Sequence, residues 1–376
     1  MGNGNVDPYS YTSEMTVVTA SDIVLGGGLP SYTTVGSTVP VSLTWEKSTT
    51  YDLGLDLDFL NNRLSFSGDY YRRYTTDMYT PSISLPSVYG TTSPKGNNAE
   101  LRTTGWELSL TWRDSFKLGG KPFDYSIKAM VWDNRTVVTK YENATRSLGT
   151  LKGYIQNGGS PSDFYEGMEL GEMWGYTVAG LFRDQADIDS SATHDFTQAS
   201  DKVTRPGQVK IADLDHNGNI DPGAFTADDH GDLSIIGNIN PHYMFGVNLA
   251  ANWNGIGLSV FLQGVMKRDW YPSPDSGYFW GKYARPFMWV LGIHNYTDDM
   301  YSEEKNNWDT AYWPRMTTYQ SNSSYSWTKL LEIPNTRYKQ NAAYLRVKNI
   351  QVDYTFPKAL CQNCLLYTSP SPRDCS

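Results

Sequence analysis

The chain has 376 residues, a formal net charge of −9, 27 tyrosines, 12 tryptophans and only 39% hydrophobic residues. The acidic balance excludes a nucleic-acid binder, which needs a basic footprint, and no stretch of about eighteen apolar residues predicts a transmembrane helix. The opening MGNGNVDPYSY has neither a charged n-region nor an apolar core, so no signal peptide is expected there.

Alternation with period two dominates the chain and predicts β-strands. Leu53, Leu55, Leu57 and Phe59 face one way against Asp52, Gly54, Asp56 and Asp58. Asn61-Asn62 supplies a tight turn, and Leu64, Phe66 and Gly68 return against Arg63, Ser65, Ser67 and Asp69, which predicts a hairpin. Trp106, Leu108, Leu110 and Trp112 repeat the pattern, as do Tyr125, Ile127, Ala129 and Val131. After a long polar and aromatic stretch from about 141 to 241, Val247, Leu249, Ala251 and Trp253 alternate again. Asn254-Gly255 then turns the chain into Ile256, Leu258, Val260 and Leu262, and a last strand is expected from about Ala343 to Phe356.

The apolar faces have the length of about nine to eleven residues that a tilted strand needs to cross a bilayer. Tyr70, Tyr71, Trp106, Trp112 and Trp253 fall where an interfacial girdle would place them. Alternation alone fits equally a sandwich whose apolar face meets a second sheet, whereas turns of two residues beside connections of many tens are the asymmetry of an outer-membrane barrel. Polar positions such as Asp56, Glu107, Arg113 and Gln263 would then line a lumen, either along a solute's path or, the favoured reading, only keeping the wall hydrated.

Within the first long connection, KIADLDHNGNID places oxygen donors in the order of an EF-hand-type calcium loop. Asp213, Asp215 and Asn217 take the first, third and fifth positions, Gly218 the sharp turn, Asn219 the carbonyl position, Ile220 the apolar anchor and Asp221 the ninth. Ala224 stands where the closing glutamate belongs, so the last carboxylate must come from Asp228, Asp229 or Asp232. The competing reading is an Asx-rich turn that bonds only its own backbone. The second long connection, about 270 to 340, is dense in aromatic residues. It forms either a self-packed core or a stacking surface for sugars or peptides, with Trp280, Trp289, Trp308 and Trp313 as ligand candidates.

No catalytic motif is present: there is no H-E-x-x-H, G-x-S-x-G, P-loop or G-x-G-x-x-G, and no catalytic residue is expected. His194, His216, His230, His242 and His294 are read as solvated loop residues. Cys361-x-x-Cys364 lacks the four ligands of a zinc site.

Several stretches closely resemble SusC/RagA-type TonB-dependent outer-membrane receptors: LTWEKSTTYDLGLDLDFLNNRLSFSGDYYRR, TTGWELSLTWRD, GEMWGYTVAGLF, DLDHNGNID, GDLSIIGNINPHYMFGVNLAANWNGIGLSVFLQGVMKRDWY and NAAYLRVKNIQVDYTFPKAL. They run in the family's order and cover most of residues 1 to 360. The resemblance implies an all-β fold, an antiparallel transmembrane β-barrel that is part of one of about 22 strands with a plugged lumen and long extracellular loops. It implies outer-membrane uptake of a nutrient such as an oligosaccharide or peptide, a SusD-like lipoprotein partner, TonB as the energy source and calcium as a structural ion of the 213–221 loop. The family's plug, TonB box and signal sequence are expected before the matched region. Residues 1–360 are expected to be a partial barrel, and the tail CQNCLLYTSPSPRDCS, 361–376, resembles translated vector sequence and is expected to be non-native. The reading from another class is a secreted all-β, calcium-stabilised carbohydrate-binding or glycan-degrading protein.

Overall fold

The computed structural model describes residues 15–20, 24, 26–35, 43–81, 95–148, 164–194, 204–272, 299–315 and 334–357. β1 (Met15–Thr19) and β2 (Ser31–Val35) form a small ribbon of their own. β3 (Lys47–Phe59), β4 (Leu64–Pro81), β5 (Lys95–Leu118) and β6 (Lys121–Lys140) follow as a meander. The first long connection holds β7 (Glu172–Tyr176), β8 (Val178–Leu181), the short helix α1 (Gln185–Asp189), β9 (Thr193–His194), β10 (Val209–Ile211), β11 (Asn219–Ile220) and β12 (Leu233–Asn238). Then come β13 (His242–Trp253), β14 (Ile256–Lys267), β15 (Asp269–Trp270), β16 (Gln340–Asn341) and β17 (Tyr344–Tyr354).

Seven strands make one antiparallel sheet in the order β17-β14-β13-β6-β5-β4-β3. Its register turns the sequence alternation into continuous rows. One row reads Leu57, Phe66, Leu110, Ala129, Val247, Leu262 and Val347 across all seven strands. The row on one side reads Phe59, Leu64, Trp112, Ile127, Leu249, Val260 and Ile350. Between them on the opposite face lies Asp58, Ser65, Thr111, Lys128, Asn248, Phe261 and Asn349. A slip of one residue in any strand would put its apolar set on the polar face.

The apolar face is open to the surroundings: Leu53 is 74% exposed, Val352 71% and Ile350 64%. An unbroken apolar surface this wide is intolerable in water and is what a lipid-facing wall requires. Aromatic residues border it at both heights. Phe116 and Phe123 lie 5.0 Å apart near the lower edge, where the Trp253 indole donates to the Leu118 carbonyl at 3.1 Å. Tyr70 and Trp106 pair at the upper edge. Tyr71 departs from the girdle expectation: the register puts it on the polar face, its ring over Gly105, where any Cβ would collide with it.

Three tight turns lie at one rim. Asn254 (φ 51°) and Gly255 (φ 86°) form a type I′ turn, Gly119 and Gly120 make the second, and Leu60, Asn61 and Asn62 all have φ between 55° and 64°. The long connections leave from the other rim. β5 has 24 residues, about 80 Å of strand, so the wall continues well past the bilayer on that side.

The buried core is in the connections rather than in the sheet. Leu148, Tyr165, Met168, Met173, Trp174, Tyr176, Leu233 and Tyr338 are all buried in one cluster. β7 pairs with β12, β8 with β10, β9 in parallel with β11 and β15 with β16. The cluster is tied to the wall where Val138 donates to the Met168 carbonyl at 2.9 Å and Leu170 to the Thr136 carbonyl at 2.8 Å. The stretch read as long loops is thus a packed module beyond the wall.

Candidate functional site

The acidic turn follows β10, and its first oxygens serve the turn itself. Gly218 N–H donates to Asp213 Oδ2 at 3.0 Å, Asn217 N–H to Asp215 Oδ1 at 3.0 Å and Asn219 N–H to Asn217 Oδ1 at 2.7 Å. Gly218 (φ 84°) and His216 (φ 60°) hold the left-handed conformations that bend the chain. Asp221 is likewise occupied, accepting from Gly223 N–H at 2.7 Å.

Asp232, fully buried at 0% exposure, closes the turn from outside. Its carboxylate accepts from Leu214 N–H at 2.6 Å and Asp221 N–H at 3.0 Å. Gly223 and Gly231, both with positive φ, let the two arms of the 221–232 segment approach so closely that a side chain on either would meet the opposite backbone. Burial pushes the Asp232 carboxyl above the usual carboxylate range against those two donors, and the nearby Asp215 and Asp213 charges push the same way.

One oxygen each of Asp213, Asp215 and Asp232 lies within 4.8 Å of the others. Two ligands of one calcium ion, each at about 2.4 Å, can be no farther apart than about 5 Å, so the three carboxylates fit a common cation. Asp213 Oδ1 is buried and has no hydrogen-bond partner. Among the acidic, histidine and cysteine side chains of the described residues the structure therefore brings Asp213, Asp215 and Asp232 together, and the Asn217 and Asp221 side chains, like those of Asp213 and Asp215, also accept hydrogen bonds from the turn's own backbone. Of the three downstream candidates, Asp228 pairs with Arg146 and the Asp229 backbone closes a local turn with Thr226.

Among the described residues, two histidines read from sequence as solvated, His194 and His242, are buried, and His294 lies outside the described residues. His194 is 4% exposed; its Nε2 accepts from Ile211 N–H at 2.9 Å and its Nδ1 lies 2.9 Å from the Ala192 carbonyl. Burial lowers its pKa to about 4, so the ring is neutral at ordinary pH. His242, 5% exposed, stands between Asp133 Oδ1 at 2.8 Å and Glu169 Oε1 at 3.4 Å and joins the β6 wall to the module. Nothing in the local sequence marks either ring, because the burying groups come from distant segments.

The aromatic ligand candidates fare differently. Trp313 is 7% exposed and stacks on Tyr338 at 5.4 Å, and Trp308 packs against the same cluster. Trp313 is thus part of the module's core and Trp308 is partly buried against it, the self-packed arrangement that the sequence left open beside a stacking surface. Trp280 and Trp289 lie outside the described residues. On the lumenal face, Asp69 and Glu107 are directly opposed. Nearer the turns a cavity of about 490 Å³ is lined by residues including Arg63, Arg113, Asp114, Asp124 and Asn252.

A family model described as TonB dependent receptor-like, beta-barrel matches residues 5–204. TonB-dependent receptor P3 of Formosa agariphila is 25% identical over 364 residues, covering 95% of this chain and 32% of the relative. TonB-dependent receptor SusC of Bacteroides thetaiotaomicron is 29% identical over 186 residues, 48% of this chain and 16% of that protein. The RagAB peptide importer in its open-open state superposes with a TM-score of 0.62 at 19% identity, over 96% of this chain and 34% of the other. The chain spans about a third of the length of the first curated relatives it matches.

Proposed function

Because the chain belongs to the TonB-dependent receptor-like β-barrel family and is an outer-membrane protein, we propose that it forms part of the wall of a receptor that imports a nutrient, an oligosaccharide or peptide. The observation that carries this reading is the register: apolar rows unbroken across seven strands on one face, polar rows on the other. Such a wall separates lipid from a wet passage, and moving a solute through it requires no catalytic group. A SusD-like lipoprotein at the module side and TonB acting through the receptor's plug complete the proposed machine. A secreted glycan-binding protein, the reading from another class, would have to cover the apolar face.

The test is uptake. Cells lacking the gene should fail to accumulate at least one member of a panel of labelled oligosaccharides and oligopeptides, and the restored gene should recover it only with functional TonB. Equal accumulation of every member with and without the gene overturns the proposal.

We also propose that Asp213, Asp215 and Asp232 hold a calcium ion, which would supply no chemistry but would stiffen the connection. The buried Asp213 Oδ1 without a partner supports this, since an uncompensated buried oxygen costs about 1–3 kcal/mol and a cation would offset that cost. Saturating calcium at about a hundred times its dissociation constant should stabilise the module by about 2.7 kcal/mol. Asp213→Asn should remove that shift, and an unfolding midpoint indifferent to calcium in the unaltered protein would rule the ion out.

A further inference from the structure

We propose that Arg72 and Arg102, on the outward face just above the apolar band, form a binding site for the phosphate of a lipid headgroup in the outer leaflet. The placement follows from register. Tyr51, Arg72 and Thr104 make one outward row, and Thr49, Tyr74 and Arg102 the next. On their own strands Arg72 and Arg102 share parity with Tyr70 and Trp106, whose row borders the apolar band. From Phe116 to Trp106 is ten residues of β5, about 33 Å of strand and about 25 Å of height at the usual tilt, the thickness of a barrel's lipid-facing band. The two arginines therefore stand at headgroup level on the side of the long connections.

The surroundings favour an anion. Arg72 Nη2 donates to the Tyr70 hydroxyl at 3.2 Å, and a cavity of about 350 Å³ opens among Tyr51, Asp52, Leu53, Tyr70, Arg72 and Tyr74. Asp52 is the one carboxylate in that lining, and register assigns it to the lumenal face opposite Tyr71. Among the described residues neither Arg72 nor Arg102 forms an ion pair, whereas Lys47, further out on β3, is paired with Asp77 at 2.9 Å. Guanidinium groups bind phosphate through paired, charge-assisted hydrogen bonds, and Thr104 between them offers a hydroxyl on the same row.

The occupant is a lipid rather than a free anion because the site continues without a break into the apolar face. Leu53, Tyr70 and Leu108 lie directly below it on the same side, so acyl chains can lie along the wall while the headgroup sits between the arginines. Each cationic side chain at an anionic membrane surface is worth on the order of fivefold in affinity, so the pair should matter by well over tenfold.

The full-length gene product would be purified from outer membranes in mild detergent and its retained lipid quantified by phosphorus assay and mass spectrometry. The unaltered protein should keep a phosphorylated lipid through extended washing, and Arg72→Gln with Arg102→Gln should lose it more than tenfold. Arg72→Lys with Arg102→Lys, which keeps the charge, should keep part of it and guards against a folding defect of the neutral pair. Arg73→Ala, on the lumenal face beside Thr50, should change nothing. Unchanged retention in the glutamine pair, or an equal loss in Arg73→Ala, overturns the site. Release of the lipid by inorganic phosphate alone would make it a free-anion site and overturn the lipid assignment.

Discussion

Asp232 is one buried carboxylate that accepts from two backbone donors. Asp232→Ala should cost about 3 kcal/mol, since hydrogen bonds to a charged group contribute about 1.5–3 kcal/mol and their buried donors would be left unmade. Asp232→Asn keeps one acceptor oxygen and should cost less. Denaturant titration followed by tryptophan fluorescence would rank the two, and equal midpoints would mean that the carboxylate does not organise the turn. His194 makes a prediction about pH. Its folded pKa of about 4 lies below the ordinary value of about 6.5, so between those values the unfolded chain binds the proton and the folded one does not. Stability from this group is complete above about pH 6.5 and declines by a few kcal/mol as pH falls toward 4. A melting series across that window should show the decline, and His194→Gln should flatten it.

Among the elements, the hairpin turns are where single substitutions speak most clearly. Gly255 has φ 86°, and a Cβ there would approach the Thr355 carbonyl at 2.7 Å. Gly255→Ala should therefore slow or weaken folding of the β13–β14 hairpin, by about 1–2 kcal/mol from the left-handed backbone alone. At the first turn the strain runs the other way. Leu60 holds φ 55° with its side chain 61% exposed, so Leu60→Gly removes a left-handed penalty of about 1 kcal/mol and little packing. Refolding into lipid vesicles, read by the urea midpoint, should move in opposite directions for the two variants. The hairpins were legible from Asn61-Asn62 and Asn254-Gly255 because such turns demand positive φ, which these residues tolerate. The strand lengths were not legible: β5 and β6 run on past the aromatic border because the wall does, and polar alternation outside lipid leaves no clear periodic mark.

For the whole molecule, the described sheet is open, with β3 and β17 at its edges. Edge N–H and C=O groups have no partner in hydrocarbon, each costing several kcal/mol, so an open sheet does not reside in a bilayer. Residues 1–376 expressed alone should accordingly show no heat-modifiable migration after refolding into vesicles. A closed-barrel shift in that assay would mean that this segment completes a barrel, alone or with copies of itself.

The sequence by itself determined the wall, because a membrane strand needs only local alternation and a turn residue to declare its two faces, from Leu53 on β3 to Val352 on β17. It also carried the acidic turn as far as Asp213 and Asp215, since oxygen spacing around a glycine is local. Only the tertiary structure decided that Asp232, rather than Asp228 or Asp229, completes the cluster. The same holds for His194 and His242, which are buried, and for Trp313, which is core. Each of those facts depends on which distant segment arrives to exclude water, and burial is a property of the assembled chain rather than of any stretch of it.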